Sequence, residues 1–404
     1  MKRNYVLALI IFFITAGIYI LSAIVLDRTH MPKTVYFNLL ADAFLHGRIF
    51  LTNPPSIQDL TNFDGKWYVP FLPLPALLLL PWVAFAGLAH TNTIYFGCVM
   101  GALNTALAFL LLQSLSRRTW SKLTLTGNAG LTLLFGLGSI HWYMSIQGSV
   151  WFLSQICTAT FVLLSLWLAV EFQSPLLSGL ALGVAMLGRP NVILIFPLLL
   201  AILIKNNIDI QPSNHVIKMV RCITLALLPV GACVILILGY NYLRFQNVFD
   251  FGYQSESVLP DLKGTLNTLG QFNLNFVPHN LWALLLAGPD WDKNRNMILP
   301  NVDGLSIFIT TPALIYLHRS FQKNWLAMAA WFAIGLSLIP LLTYYNTGWW
   351  QFGYRYSLDF MPAVMLLLAI AARERISTKF WILIAAGVLI NAWGTWWFMN
   401  PSYF

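Results

Sequence analysis

The sequence predicts an all-α, polytopic helical membrane protein, and three observations carry that prediction. Of its 404 residues, 58% are hydrophobic and only 9% charged, where a soluble domain carries about 25% charge. Apolar runs of about 20 residues recur along the whole length, each long enough to cross a hydrocarbon core of roughly 30 Å as a helix. The runs do not alternate apolar and polar positions. That excludes a β-barrel, the other structure that satisfies its backbone in lipid.

The runs fall at 5–26, 69–89, 94–114, 124–142, 150–172, 174–204, 220–243, 305–317, 325–345, 358–372 and 380–398. They predict about 11–13 transmembrane helices in a single integral membrane domain over 1–404. Lys2 and Arg3 precede the first run as in a signal peptide. That run exceeds the roughly 7–15 residues of a secretory apolar core and no small-x-small site follows, so it reads as an uncleaved span. The run 174–204 holds Gly188-Arg189-Pro190. A residue before proline is pushed out of helical geometry, so this run is one broken helix or two short ones.

Charge separates two faces. Four of the fourteen acidic residues lie in 27–68 and six in 246–303, whereas the short connections 205–221, 318–323 and 373–379 are mainly basic. Short basic loops are cytoplasmic, which places a first outer loop at 27–68 and a second at 246–303. Arg117, Arg118 and Lys122 conflict with simple alternation, which puts them outside; a nearby half-span, or a position at the outer headgroups, would resolve it. The net charge of +9 reflects this loop bias and not a nucleic-acid surface. Cys98, Cys157, Cys222 and Cys233 stand singly, without a CxxC pair, and suggest neither zinc nor a disulfide framework.

In the first outer loop, VYFNLLADAFLHGR predicts an amphipathic helix. Asn38, Asp42 and His46 form a polar stripe, and Phe37, Leu40, Ala43 and Phe44 an apolar side that would lie in the interface. Gly47 suits its end. Asn53-Pro54-Pro55 and Asp64-Gly65 are turn signals before KWYVPFLPLP.

Outer loops that return to the membrane suggest a site at the water–lipid boundary, where ionisable residues are costly and so are functional candidates. Asp42 is the first candidate for a general base accepting a hydroxyl proton; its plain alternative is a solvated interfacial carboxylate. Asp27, Asp59 and Asp64 are the other candidates, and Asp64-Gly65 also reads as a turn. Arg355, in GWWQFGYRYSLDFMP, offers a fork that matches phosphate oxygens. The alternative is an Arg snorkelling from an aromatic belt of Trp349, Trp350 and Tyr354 and paired with Asp359 four residues on; Gln351 and Gly353 have no place in such a belt. Arg189 either caps a kinked helix or contacts an anionic headgroup. Lys66 and Arg48 are less specific. Arg244, in GYNYLRFQNVFDFGYQ, shares the aromatic and Gly texture of Arg355, as if two rims flanked one outer cavity. There is no Gly-rich phosphate loop, HExxH or GxSxG. The seven His are scattered singly, against a transition-metal cage, while carboxylates could still hold a divalent cation.

The ordered set LADAFLHGRIFL, FDGKWYVPFLPLPALLLLP, LALGVAMLGRP, NYLRFQNVFDFGYQ and WWQFGYRYSLDFMP resembles bacterial membrane glycosyltransferases of the GT-C superfamily, near the protein-mannosyltransferase and aminoarabinose-transferase group. The resemblance covers nearly the whole chain. It implies a GT-C-like fold with interfacial helices in the first outer loop and a polyprenyl-phosphate sugar donor. It also implies inverting transfer to an extracytoplasmic lipid, glycan or protein acceptor, at the outer side of a bacterial inner membrane. The base would be an acid of 27–68. Arg355 and Arg189, with Lys66 and Arg244, would hold the phosphate, and Tyr68, Trp350, Tyr354 and Gln351 the sugar or lipid. Two departures stand out: His30-Met31-Pro32-Lys33-Thr34 where the superfamily usually carries its acid, and Phe71-Leu72-Pro73 where some relatives read Lys-Pro-Pro. Competing readings are a lipid-linked sugar transporter or flippase, which predicts ionisable residues at span centres and internal repeats, a glycan ligase or polymerase, and a catalytically silent scaffold.

Overall fold

The computed structural model describes residues 2–208, 215–258, 260–348 and 350–398. Helix α1 (Lys2–Val25) leads into the first long loop, which holds α2 (Phe37–Leu45) and the hairpin β1 (Thr61–Phe63) and β2 (Lys66–Tyr68). Asp64 and Gly65 form the two-residue turn with φ of +51° and +71°, the left-handed geometry that a tight hairpin of this kind needs. Next come α3 (Leu74–Ala86) and α4 (Thr93–Arg117). Asn92 caps α4 by accepting from the Ile94 and Tyr95 N–H groups, which are left without helical partners at a helix start.

The path of α1 to α4 removes the parity conflict at Arg117. Asn92 Nδ2 donates to the Thr29 carbonyl at 2.8 Å, so α4 starts beside the end of α1. Tyr5 stacks edge-on against Trp167, and Arg117 pairs with Glu171, so α4 ends on the face where α1 began. The run 69–89 therefore adds no crossing. It yields only the 13 residues of α3, about 20 Å of helix against a core of roughly 30 Å.

Helices α5 (Leu125–Gly136) and α6 (His141–Ser145) follow, and then α7 (Val150–Glu171). Tyr19 of α1, Asn104 of α4 and His141 of α6 meet inside the bundle: the Tyr19 hydroxyl donates to the Gly136 carbonyl at 2.6 Å and lies 3.0 Å from His141 Nδ1, while Asn104 Nδ2 lies 3.2 Å from Nε2. These paired polar groups fix three helices in one register without leaving a buried donor unmet.

The run 174–204 is two helices. Helix α8 (Pro175–Met186) stops, Arg189 is extended at φ −142° and ψ +109°, and a 3₁₀ turn at Pro190–Ile195 starts α9 (Phe196–Ile208). Pro190 excludes helical geometry at Arg189, and the chain reverses there. The basic connection 205–221 lies partly outside the described residues. Helix α10 (His215–Phe245) runs alongside α8.

In the second long loop lie α11 (Pro260–Leu269), α12 (Val277–Leu285) and the hairpin β3 (Asp290–Asp292) and β4 (Met297–Leu299); the run 305–317 forms the short helix α13 (Ile307–Thr310) and 3₁₀ turns over Pro312–Ser320 in place of one continuous span. The two loops are joined by backbone pairing: Asp59 N–H donates to the Ser257 carbonyl at 2.9 Å and Ser257 N–H to the Leu60 carbonyl at 2.8 Å. Helix α14 (Trp325–Thr343), a 3₁₀ turn at Arg355–Asp359, α15 (Met361–Ala371) and α16 (Thr378–Phe398) complete the chain.

The protein is mostly helical. Among the described residues, α1, α4, α7, α10, α14 and α16 are long and apolar enough to cross a membrane, by length and composition. Other runs of the predicted 11–13 form shorter helices, α3, α8, α9 and α15 among them.

Candidate functional site

Two chain reversals inside the bundle make the floor of the site. One is Gly188–Asn191 between α8 and α9; the other is the 3₁₀ turn before α15. Arg189 donates to Asp359 Oδ2 from Nε at 3.0 Å and from a terminal nitrogen at 2.9 Å, and Asn191 Nδ2 donates to the same oxygen at 2.8 Å. The pair between Arg355 and Asp359 that the aromatic-belt alternative carried does not form. In a 3₁₀ turn, with three residues per turn, positions i and i+4 no longer share a face, so Asp359 points to Arg189 and leaves Arg355 to the other side.

Above this floor is a cavity of about 890 Å³. Its walls carry many aromatic rings, including Phe71, Trp151, Phe152, Phe251, Phe272, Tyr344, Trp350 and Tyr356, and its ionisable lining residues are Arg28, His30, Asp59, Arg189, Glu256 and Arg355 beside the tyrosines. It thus combines a large apolar surface with a few charges, the usual make-up of a ligand site.

Arg355 is 8% exposed. Its backbone is held by Gln351, whose Oε1 accepts from the Arg355 N–H at 3.0 Å, and by Gln155 Nε2, which donates to the Arg355 carbonyl at 3.1 Å. Its guanidinium lies over the Phe152 and Tyr356 rings at 5.4 and 5.3 Å. Among the described residues the guanidinium has no hydrogen-bond or ion-pair partner, and its Nε is buried without an acceptor. Gly348, at φ +101°, lets the backbone pass close by; a Cβ there would stand 2.8 Å from Arg355 Nε. A buried cation without an anion is costly, and it is the feature an anionic ligand would satisfy.

Asp59 stands opposite in charge. Trp151 Nε1 donates to its Oδ2 at 2.8 Å. Burial pushes its carboxyl up to about 6, against the Trp151 hydrogen bond and the Arg355 charge, which pull it down. Glu256, on the strand-like stretch paired with the Asp59 segment, also lines the cavity. Burial first, and then the Asp59 charge, hold it well above the usual carboxylate range.

Of the sequence candidates, the structure brings Asp59, Arg355, Arg189 and Trp350 to this cavity. The remaining residues do not line it. Asp42, on α2, lies 3.7 Å from the exposed His46 ring; Asn38 of the expected polar stripe is buried. Asp64 sits at the hairpin turn and Asp27 in a left-handed bend after α1. Lys66 lies over the Phe50 ring, and Tyr68 packs between Phe50 and Phe245. Tyr354 is buried, its hydroxyl donating to the Leu341 carbonyl at 3.4 Å, and Gln351 acts on Arg355 from behind. Arg244 donates to the Val69 carbonyl at 2.6 Å and to Asn241 Oδ1 at 2.7 Å and does not line the cavity, although Phe251 and Tyr253 of its stretch do, together with Trp350 and Tyr356 of the Arg355 stretch. Trp349 lies outside the described residues. Among the described residues no group of three or more His, Cys, Asp or Glu comes together to hold a metal ion.

Sequence reasoning missed Glu256, Trp151, Asn191 and Arg28. Trp151 and Asn191 carried no spacing signal. Glu256 carried one, an acid within an aromatic segment of the second loop, but nothing local links it to Leu60. Compared with family models, curated proteins and solved structures, the chain gives no match.

Proposed function

We propose that this chain is a glycosyltransferase of GT-C type that moves a sugar from a polyprenyl-phosphate donor to an acceptor hydroxyl, with inversion, at the extracytoplasmic face of a bacterial inner membrane. The observation that carries this reading is the buried guanidinium of Arg355, without a hydrogen-bond or ion-pair partner among the described residues, in a large cavity that it shares with aromatic rings and the Asp59 carboxyl.

In this scheme Asp59 is the general base. It accepts the proton of the acceptor hydroxyl while that oxygen attacks the anomeric carbon and the carbon–oxygen bond to phosphate breaks. Arg355 neutralises the departing phosphate, a group on which charge grows as the bond breaks. Arg189 holds the floor through Asp359 and adds positive potential. The aromatic walls take the sugar face and the first isoprene units. Asp59 then replaces Asp42 as the favoured base, because Asp42 does not line the cavity. The basic groups Lys2, Arg117 and Lys122 gather on the face away from the cavity, which supports a cytoplasmic assignment for that face.

The test is turnover of polyprenyl-phosphate sugars by purified protein. D59N loses about 10²–10⁴-fold, while D42N, D27N and D64N stay near wild type. Full activity in D59N refutes the assignment. Movement of the lipid-linked sugar across a vesicle without transfer would favour a transporter instead.

A further inference from the structure

Glu256 takes no part in the scheme above, yet it is 4% exposed, lines the cavity, and has no side-chain hydrogen bond or ion pair among the described residues. The backbone pairing of 59–61 with 256–257 fixes it beside Asp59. Its carboxyl is within electrostatic reach of Tyr253 on its own turn, of Tyr344 and Tyr345 after α14, and of Asp59 on the first loop. The cations of the same cavity, Arg28, Arg189 and Arg355, with His30, form no ion pair with it; Arg189 is taken by Asp359.

We propose that Glu256 stands as a neutral carboxylic acid and donates its O–H to an oxygen of the bound ligand, making the cavity a site for a hydroxyl- or phosphate-bearing molecule only while that proton is present. Two carboxylates side by side in a low-dielectric pocket cannot both ionise cheaply. Asp59 has Trp151 as a hydrogen-bond donor and Arg355 as a nearby cation, and so takes the negative charge; Glu256 has neither and keeps the proton. A protonated acid adds a donor where Arg355 offers positive charge, whereas an ionised one would repel a phosphate oxygen. The two carboxyls are thus divided into base and acid by their surroundings. The ligand role rests on the transferase reading; the protonation state does not.

The first test needs no turnover. Dicyclohexylcarbodiimide, an apolar reagent, attacks protonated carboxyls, and the adduct is mapped by peptide mass spectrometry on the full chain in detergent. At pH 8, two units above its midpoint, Asp59 is roughly 1% protonated, so Glu256 should be labelled at least tenfold more than Asp59. At pH 5 both are labelled. Absence of label at Glu256 at pH 8, or a pH course that follows Asp59, overturns the proposal. The second test is the pH profile of E256Q, in which the amide keeps the donor and cannot ionise. Wild-type turnover falls at alkaline pH and E256Q stays level; the same alkaline fall in both overturns the ligand role. If Glu256 is labelled at pH 8 while no polyprenyl-phosphate sugar is turned over, the transferase reading fails and the neutral acid stands.

Discussion

Arg244 and Arg355 close two stretches of nearly the same texture, one at the end of α10 and one before α15. Both are buried and both stack on rings, Arg244 on Tyr240 and Phe245 at 4.2 and 4.6 Å. They differ in what surrounds the guanidinium. The chain entering α3 turns its Val69 and Pro70 carbonyls toward Arg244, and Asn241 supplies a third acceptor. Arg355 is met by rings and open cavity. The first arginine fastens the first loop to α10, and the second is left for something that the chain does not itself provide. An aromatic, glycine-containing setting thus shows only that an arginine is buried; its oxygen partners show whether it is structural.

The comparison can be broken in several ways. The largest expected effect is on chemistry: R355M should lower turnover by about 10²–10³-fold, the loss seen when a charge-stabilising donor is removed, with little loss of stability because no protein acceptor is orphaned. Equal turnover in R355M would place the phosphate elsewhere. The reverse holds for R244M. It strands the Val69 carbonyl and Asn241, so unfolding in detergent should show a loss of about 3 kcal/mol, with activity per folded molecule kept. A loss of similar size, about 3 kcal/mol, is expected for D359N, which leaves the Arg189 charge uncompensated in the floor. A D359N protein as stable as wild type would mean that the two reversals do not need this tie.

Two smaller effects concern Asp59. Turnover should fall as pH drops through about 6, near tenfold per unit below it, because the base must be ionised; a fall starting only near 4 would exclude Asp59. Its stability effect has the opposite sign to that of most carboxylates. The folded midpoint is raised, so Asp59 contributes stability at low pH that is lost as pH rises through about 6. D59N should therefore be more stable than wild type at pH 8, by about 1 kcal/mol once partial solvent access is discounted, and no more stable at about pH 3, below both the folded and the unfolded midpoint. No gain at pH 8 would mean that the carboxyl is well solvated.

Much of the fold was legible in the sequence because lipid imposes a length on every crossing. Runs such as 94–114 and 150–172 became α4 and α7 with bounds close to those predicted. The run 69–89 misled for the same reason: the residues from Leu74 to Ala86 are as apolar as a span, and only the meeting of Asn92 with Thr29 shows that the chain turns back. Pro190 was readable because its constraint acts on its neighbour in the chain. Arg355 and Arg189 were readable because a charge in an apolar run needs a reason. Asp59 was among four candidate carboxylates, but the choice between them was not readable. Asp42 sat on a clear helical stripe, while Asp59 sat in a loop whose position depends on pairing with Ser257. Glu256 was hidden by the same pairing, and the 3₁₀ turn that separates Arg355 from Asp359 left no trace in spacing.

The central claim is that Arg355 is held unpaired to receive a phosphate. The most direct measurement is binding of unglycosylated polyprenyl phosphate, by native mass spectrometry or thermal shift in detergent, to wild type, R355M and R244M. Wild type and folded R244M should bind alike and R355M at least about tenfold more weakly, a cost of one lost charge-assisted contact. Equal binding by R355M and wild type would contradict the account.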